Sequence, residues 1–293
     1  MRYAAIDIGT NAARLLIGEV VRDGESAYVQ KLSYTRVPLR LGESVFDSGD
    51  ISKKKAEDFV KTIQAFKLIS DIFNVSKIRA CATSAMREAS NGDEVQKLIK
   101  DKTGVNIEVI SGQEEAKLIF STFFLLNIDR SIPFVVVDVG GGSTEIYIYQ
   151  NNKHIIQSFQ LGAVRGMLGK DDPEEWSRLK KWLRKQPKTS TLVGLGGNIR
   201  SFLNLNNTKK MKSENFIKEI TNLNSLDVDT KISACKLQKD RADVIDFALQ
   251  IYIEIIKILK VQEIKSTKWG VSDSIAVKTF HELYSKKISI SRS

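Results

Sequence analysis

The chain has 293 residues, of which 42% are hydrophobic and 27% charged, and its formal net charge is +10. This composition is typical of a globular protein of one large or about two ordinary domains, and it excludes disordered, collagen-like and low-complexity classes. Two Cys and two His cannot build a disulfide framework, a four-cysteine zinc site or a three-histidine metal site. Acid–base or metal chemistry therefore has to depend on carboxylates.

No part of the sequence resembles a membrane span or a secretion signal. No run reaches the roughly 18 apolar residues that a span needs. Asp7 and Arg14 interrupt the N-terminal apolar run, and no cleavage site of small residues follows it. We therefore expect a cytoplasmic protein without a membrane partner.

The positive charge is concentrated in the second part of the chain. Residues 1–125 contain 18 Lys and Arg against 17 Asp and Glu, which leaves 27 against 18 for residues 126–293, or +9. Such asymmetry indicates a polyanionic partner for the second part. Ordinary solvation of helix faces is the alternative.

Strands and helices alternate along the first part of the chain. Predicted strands cover residues 3–7, 14–21, 28–41, 78–82 and 106–110, and predicted helices cover residues 52–73, 93–102 and 113–126. The first helix has apolar residues every three or four positions and Ser52 as its N-cap, and Gly104 closes the second. This alternation favours an α/β architecture.

A polar segment at residues 127–133, which contains Pro133, precedes a new apolar strand and predicts a domain boundary. The expected domains are residues 1–125 and 126–293, and the last helix can pack back on the first domain. Predicted strands follow at 134–138, 146–149, 154–161, 191–195 and 265–269, and predicted helices at 213–226, 240–261 and 272–286. Two further helices begin at Pro173, with Asp172 as N-cap, and at Gly196.

One pattern occurs twice. Residues 3–17 read YAAIDIGTNAARLLI and residues 134–148 read FVVVDVGGGSTEIYI, so each has an apolar strand, Asp-x-Gly, a small polar turn and a second strand. Asp7 and Asp138 are 131 residues apart, close to half the chain. A duplicated fold would aim one such turn from each half into a single cleft.

A glycine turn of this kind can bind phosphate. Consecutive backbone N–H groups form a concave site for an anion, and Gly lets the backbone approach phosphate oxygens that a Cβ would block. The Asp before each turn would repel phosphate unless a cation lay between them, which points to Mg²⁺.

Seven segments carry a family resemblance. In chain order they are DIGTNAARLL (7–16), ATSAMREASNG (82–92), ISGQEEAKLI (110–119), DVGGGSTEI (138–146), LGAVRG (161–166), GLGGNIR (194–200) and RADVI (241–245). Together they resemble the exopolyphosphatase and guanosine pentaphosphate phosphohydrolase (Ppx/GppA) family, in its short two-domain form. The resemblance implies a duplicated actin-like ATPase-type α/β fold, that of the sugar-kinase and heat-shock-chaperone superfamily, with two domains around a central cleft.

The resemblance also implies an activity, which is Mg²⁺-dependent hydrolysis of a terminal phosphoanhydride. The general base is expected in the pair Glu114 and Glu115, and Glu115 is favoured. Metal ligands are expected at Asp7, Asp138 and Glu145. Phosphate contacts are expected at Thr10, Asn11, Arg14, Arg87, Gly140, Gly141, Gly142, Ser143, Arg165, Gly196 and Gly197.

Several of these residues have a structural alternative. Arg165 can pair with Asp171 or Asp172 instead of phosphate, and Gly196 and Gly197 can serve tight packing. The chain also departs from the family pattern at Ala12, where a serine is usual, and at Asn198, where threonine is common. It differs again at residues 270–274, which lack the family's Arg-Glu-Gly run. These departures concern substrate preference more than fold.

The leading hypothesis is release of orthophosphate from inorganic polyphosphate. Guanosine pentaphosphate (pppGpp) is the alternative substrate, and a non-catalytic phosphate or nucleotide sensor is the alternative of another class. Nucleic acid is not favoured because no recognised binding motif accompanies the charge, and a homodimer is left open. A track for a long polyanion is expected along Lys180, Lys181, Arg184, Lys185, Lys188, Lys209, Lys210 and Lys212.

Overall fold

The computed structural model describes residues 2–23, 26–121, 132–151, 153–268, 270–279 and 282. The chain forms two compact units, Met1–Phe124 with Val271–Ser293, and Leu125–Gly270. The first unit thus includes residues 271–293, the placement that the sequence analysis left open for the last helix. The physical reason is burial: Ser272, Ser274 and Ile275 are at most 3% exposed, and the Lys31 ammonium lies 2.5 Å from the Asp273 carboxylate.

The first unit contains a five-stranded sheet with the order β3-β2-β1-β4-β5. Its strands are β1 (Arg2–Ile8), β2 (Ala13–Asp23), β3 (Ser26–Val37), β4 (Lys77–Ala82) and β5 (Ile107–Val109). Its helices are α1 (Leu41–Ser48), α2 (Lys53–Ile72), α3 (Ser84–Glu88), α4 (Gly92–Thr103) and α5 (Gly112–Ser121), and residues 271–279 are also helical. The β1, β4 and β5 strands are parallel, whereas β2 and β3 form antiparallel hairpins.

Local sequence signals account for the longer helices of this unit. The Ser52 hydroxyl accepts a hydrogen bond from the Lys55 N–H and caps α2. The apolar face of α2, which includes Phe59, Ile63 and Phe66, is fully buried. Gly104, with a φ of 72°, ends α4 as predicted.

The second unit contains a six-stranded sheet with the order β10-β11-β9-β6-β7-β8. Its strands are β6 (Phe134–Val139), β7 (Thr144–Gln150), β8 (Lys153–Phe159), β9 (Thr191–Leu195), β10 (Lys210–Lys212) and β11 (Glu263–Ser266). Its helices are α6 (Ala163–Met167), α7 (Pro173–Arg184), α8 (Gly196–Leu205), α9 (Ser213–Asn224), α10 (Val228–Ser233), α11 (Lys239–Ala242) and α12 (Ile245–Leu259).

The core of the second unit is organised by α12, which packs against α6, α7, α8 and α9. The Tyr252 hydroxyl lies 3.2 Å from the Val137 carbonyl oxygen and 3.3 Å from that of Leu195, so it ties α12 to β6 and β9. Burial raises the pKa of Tyr252 well above its ordinary value. The tyrosine is therefore a neutral structural link under the glycine turn.

The internal repeat of the sequence is a repeat of topology. The order β3-β2-β1-β4-β5 of the first sheet matches β8-β7-β6-β9-β11 of the second, with the same parallel and antiparallel pairs. The turns also close alike, because the Gly9 N–H donates to the Ala12 carbonyl at 3.1 Å and the Gly140 N–H to that of Ser143 at 2.9 Å. The expected duplicated, actin-like α/β fold is confirmed.

Three predicted elements differ from the observed ones in extent or continuity. The strand expected at 28–41 ends at Val37, and Arg40, in the left-handed region with a φ of 53°, precedes the start of α1. The helix expected at 240–261 is two helices, α11 and α12. The short strand expected at 265–269 is β11 (Glu263–Ser266).

Parts of two predicted helices, residues 127–131 of the boundary segment and the C-terminal tail fall outside the described residues. Within the part of the chain that the structure describes, no helix has the length and apolar content needed to cross a bilayer.

Candidate active site

The candidate residues of the first unit gather where its parallel strands end. The Thr83 N–H donates to the Ile8 carbonyl, and the Ile110 N–H donates to the Ala82 carbonyl, so the ends of β1, β4 and β5 share one edge. Ligands of α/β proteins bind at this carboxyl edge. The turn after β1, the start of α3 and the start of α5 all lie there.

The turn between β1 and β2 is held from one side. The Gly42 N–H donates to the Thr10 carbonyl and the Arg40 N–H to the Asn11 carbonyl, each at 3.0 Å. The C=O and N–H of a trans peptide point in opposite directions, and no cis peptide is present among the described residues. The N–H groups of Asn11 and Ala12 therefore face away from the segment that holds the turn.

The side chains of this turn are also fixed. The Thr10 and Ser84 hydroxyls lie 2.7 Å apart and are both buried. The Arg14 guanidinium lies 2.8 Å from the Asp7 carboxylate. Asp7 and Arg14, expected as metal ligand and phosphate contact, are thus paired with each other across the hairpin.

The structure separates the two adjacent glutamates of α5. Glu114 is exposed, and its carboxylate accepts hydrogen bonds from the Ser111 N–H and hydroxyl, both at 2.8 Å. The Glu114 N–H returns a bond to the Ser111 hydroxyl at 3.2 Å, which completes a capping box. These bonds hold the pKa of Glu114 below its ordinary value. Glu115 is buried, at 7% exposure.

Arg87 lies beside the start of α5. Its guanidinium donates to the Ile110 carbonyl at 2.6 Å. The Ser111 carbonyl accepts the Glu115 N–H at 2.9 Å, so Arg87 and Glu115 are one short segment apart. The structure therefore brings Arg87, Glu115, Thr10 and Ser84 to one edge of the first sheet.

The second glycine turn is held more completely than the first. The Ala163 N–H donates to the Gly140 carbonyl, the Val164 and Arg165 N–H groups to the Gly141 carbonyl, and the Arg165 Nε to the Gly142 carbonyl, at 2.8–3.0 Å. Three consecutive carbonyls are therefore engaged by the LGAVRG segment. The N–H groups of Gly141, Gly142 and Ser143 consequently face the other way, as an anion site requires.

Two features make this clamp possible. A Cβ on Gly162 would lie 2.5 Å from the backbone of Gly141 and Gly142, so only glycine permits the approach. Arg165 is 9% exposed, and its positive charge opposes the rise that burial causes in the pKa of Asp171. The Trp176 indole N–H donates to that carboxyl at 3.2 Å.

The residues present in the second hairpin fit a divalent cation. Asp138 and Glu145 are direct cross-strand partners of β6 and β7, so their side chains lie on the same face of the sheet. Both are buried, and the Ser158 hydroxyl donates to Glu145 at 2.9 Å. Two facing carboxylates repel each other unless a cation joins them, and carboxylate oxygens suit Mg²⁺.

The first hairpin has the opposite charge arrangement. Arg14 stands at the position equivalent to Glu145, and it neutralises Asp7 within the protein. Among the described residues, no group of three or more His, Cys, Asp or Glu side chains could hold a metal ion by itself. As candidate ligands for a divalent cation, the carboxylates of Asp138 and Glu145 are thus favoured over that of Asp7. Water or substrate would supply the further ligands.

The glycines after β9 have packing roles. Gly196 has a φ of 82°, and a Cβ there would lie 2.8 Å from the Asp138 carboxylate. A Cβ on Gly197 would lie 2.4 Å from the Arg241 guanidinium, which donates to the Asn198 side chain. For Gly196 and Gly197 the structure therefore supports the packing alternative, which lets Asp138 and Arg241 approach the turn.

The basic residues of the expected polyanion track do not continue up to the glycine turn between β6 and β7. The first turn of α7, near the end of β8, is acidic, since it contains Glu174 and Glu175. The basic residues follow towards the opposite end of the helix. Lys180 lies 3.4 Å from Glu254 and Lys210 lies 3.6 Å from Glu263, so both are partly neutralised.

The chain matches one family of known proteins over most of its length. A family model described as the Ppx/GppA phosphatase family covers residues 20–283. The chain belongs to this family.

Ppx/GppA relatives resemble the chain in sequence and fold. Exopolyphosphatase 1 of Mycobacterium leprae is 33% identical over 204 residues, which cover 67% of this chain and 58% of that protein. The chain thus spans a little over half the length of this curated relative. The Aquifex aeolicus Ppx/GppA family member is 25% identical, with a TM-score of 0.77 over 96% of this chain and 98% of that one.

An exopolyphosphatase from Cytophaga hutchinsonii has the same fold. Its TM-score is 0.86 at 22% identity, over 96% of this chain and 98% of that one.

Five residues that contribute to the site were not singled out from the sequence. The Ser111-x-x-Glu114 spacing is a capping-box signal and could have separated the two glutamates. Ser84 and Gly162 lie inside recognised motifs, but their roles depend on contacts with distant residues. The Arg40 and Gly42 N–H groups support the first turn, and no local sequence pattern indicates this contact.

Proposed function

We propose that the protein hydrolyses the terminal phosphoanhydride bond of inorganic polyphosphate and releases orthophosphate. The observation that carries this proposal is the second glycine turn, in which three engaged carbonyls leave three consecutive N–H groups facing the other way. The same hairpin contains the cross-strand pair Asp138 and Glu145. Such a turn suits a terminal phosphoryl group, which has several oxygens and high negative charge. Membership of the Ppx/GppA family agrees with this chemistry.

Glu115 is the proposed general base. Its carboxylate would take a proton from a water molecule, the water oxygen would form a bond to the terminal phosphorus, and the bond from that phosphorus to the bridging oxygen would break. The products are orthophosphate and a chain shortened by one phosphate, and the bridging oxygen leaves with the shortened chain. A positioned base of this kind contributes about 10²–10⁴-fold to the rate.

Asp138 and Glu145 are the residues that would hold Mg²⁺. A bound Mg²⁺ would supply positive charge against the phosphate oxygens and reduce their repulsion of the two carboxylates. Arg87 and the turn N–H groups would orient the phosphoryl oxygens, with the planar guanidinium suited to two oxygens at once.

Orthophosphate release from long polyphosphate, tripolyphosphate, pppGpp and ATP tests this function, with Mg²⁺ added to the chelator-treated protein. We expect release from polyphosphate, dependence on Mg²⁺, and a higher Mg²⁺ concentration for half-maximal activity in Asp138→Asn. Release from pppGpp alone would favour the nucleotide alternative. Saturable binding without any release would favour a sensor, and full activity after exhaustive chelation would remove the metal.

A further inference from the structure

A long part of the second unit contains no acidic residue. Residues 176–213 include ten Lys and Arg and no Asp or Glu. This stretch covers most of α7, then β9, α8 and β10. Arg178, Lys180 and Lys210 pair with acidic residues outside the stretch. The other exposed positive charges create a positive potential that attracts polyanions.

Two parts of this stretch, the segment after α7 and the segment after β10, contact the turn between α12 and β11. The Lys188 ammonium donates to the Ile258 carbonyl at 2.8 Å, and the Thr189 N–H to the Leu259 carbonyl at 3.1 Å. The Ser213 N–H donates to the Gln262 carbonyl at 2.9 Å, which places Lys212 next to the same turn.

Basic residues of α12 add to this region. Lys257 lies three residues after Glu254, on the same helix face, and Glu254 pairs with Lys180 of α7. Lys257 also precedes Ile258, whose carbonyl accepts the Lys188 ammonium, so it lies near the segment that follows α7. We define the distal basic surface as Arg184, Lys185, Lys188, Lys212, Lys257 and Lys260, all of which are exposed.

The distal basic surface lies at the opposite end of the sheet from the glycine turn. Thr191, which follows Lys188 by three residues, pairs with Phe134 at the start of β6. Gly140 is six residues further along that strand, or about 20 Å at 3.3 Å per residue. One short anion cannot contact both places, whereas a long chain can.

We propose that the distal basic surface is a second binding site for inorganic polyphosphate, separate from the glycine turn. This inference rests on the proposed function. A chain held at the distal basic surface raises the effective concentration of its own end near the turn. Long chains therefore gain affinity that tripolyphosphate does not.

Polyphosphate fits this surface better than single-stranded nucleic acid does. Binding of bases requires exposed aromatic platforms. Trp182 of α7 packs edge-on against Phe159, with ring centroids 5.6 Å apart. Phe247, which is 39% exposed, is ten residues before Lys257, or about 15 Å along α12. The six described residues that define the surface thus offer charge and no aromatic side chain.

The test combines Arg184→Gln, Lys185→Gln, Lys257→Gln and Lys260→Asn in one variant. Lys260 has a φ of 58°, which asparagine tolerates, and Lys188 is kept because it bonds the Ile258 carbonyl. The matched control changes four lysines of α2 in the first unit to Gln: Lys53, Lys54, Lys61 and Lys67. Both variants lose four positive charges.

Binding of end-labelled long polyphosphate is measured by fluorescence anisotropy over a range of salt concentrations. Each phosphate contact contributes about 0.7–0.9 to the slope of log affinity against log salt in nucleic acids. We expect the surface variant to lose about 3 units of slope and to bind at least about tenfold more weakly at low salt. The control should match wild type in both quantities. A surface variant with wild-type slope and affinity overturns the inference.

Turnover separates this inference from the proposed function. We expect the surface variant to raise KM for long polyphosphate and to leave KM for tripolyphosphate unchanged. Absence of release from every substrate would overturn the proposed function, while the binding result would still decide the second site. Loss of single-stranded RNA or anionic-vesicle binding, with polyphosphate binding intact, would assign the surface to another polyanion. If the fourfold variant misfolds, Lys185→Gln with Lys257→Gln should give about half the loss of slope.

Discussion

Glu114 and Glu115 follow one another in the first turn of α5, but their environments differ. The Glu114 carboxylate is occupied by the Ser111 N–H and hydroxyl, whereas Glu115 is buried next to the segment that Arg87 contacts. Successive residues of a helix point about 100° apart, so one can cap the helix while the other faces a site. This difference supports Glu115, rather than Glu114, as the proposed general base.

Glu115→Gln should reduce kcat for polyphosphate about 10²–10⁴-fold and leave binding of the labelled chain nearly unchanged, because the amide keeps the shape and loses the basicity. Glu114→Gln should keep most of the activity and lower the melting temperature, since it weakens the capping box. Steady-state kinetics, binding and thermal unfolding of both variants are the measurements. Loss of turnover in Glu114→Gln together with normal turnover in Glu115→Gln would reverse the assignment.

The element that carries the second turn is a hairpin whose shape depends on a separate segment. The β6–β7 hairpin supplies Gly140, Gly141 and Gly142, but the N–H groups of residues 163–165 fix the direction of their carbonyls. A sulfate-sized or phosphate-sized anion is bound well only if the opposing N–H groups are already oriented. The LGAVRG segment is therefore part of the site although it presents its backbone to the turn.

Gly162→Ala should reduce kcat about a hundredfold or more, because a Cβ 2.5 Å from the Gly141 and Gly142 backbone displaces the turn and its donors. The matched control is Gly169→Asn, at a position seven residues further along the chain. Gly169 has a φ of 65°, which asparagine tolerates, and a Cβ at this position would have no neighbouring atom within 4 Å. Equal activities of the two variants would show that the close approach is not needed.

Local sequence signals predicted the elements that depend on their own residues. Ser52, Asp172 and Gly104 marked helix ends correctly because caps act within one turn. The repeated Asp-x-Gly hairpins revealed the duplicated topology. The short helices α3 and α6 have five residues each, too few for a periodic apolar pattern to appear.

The features that the sequence did not predict depend mostly on contacts between distant residues. The break between α11 and α12 has no Pro or Gly to mark it, so residues 240–261 resembled one helix. The pairing of Asp7 with Arg14 follows from strand register, which the turn alone does not fix. The clamps at Gly42 and Ala163 join residues 32 and 23 positions away from their acceptors, and no local pattern encodes such a contact.

At the scale of the whole molecule, the first unit is built from two separate parts of the chain. Residues 271–279 form a helix whose residues 271–277 are buried, while Lys278 is exposed. This helix therefore stabilises the first unit rather than the second.

Ile275→Ala should destabilise the first unit by about 2–5 kcal/mol, because a fully buried side chain is truncated to a methyl group. Hydrogen exchange should accelerate in β1 and β4 and remain unchanged in β6 and β9. Lys278→Ala, on the exposed face of the same helix, should leave exchange in both sheets as in wild type. Faster exchange confined to β6 and β9 would place the helix with the second unit.

This discontinuity also sets an order of events during translation. The second unit is one uninterrupted stretch, so all its strands have left the ribosome's peptidyl-transferase centre before residues 271–293 are joined. At about 5–20 residues per second, the second unit, residues 125–270, takes roughly 7–30 s to synthesise. During that interval the nascent first unit has its sheet but lacks the helix that covers part of its core. The growing polypeptide is therefore most exposed to aggregation, and most dependent on chaperones, in the unit that was synthesised first.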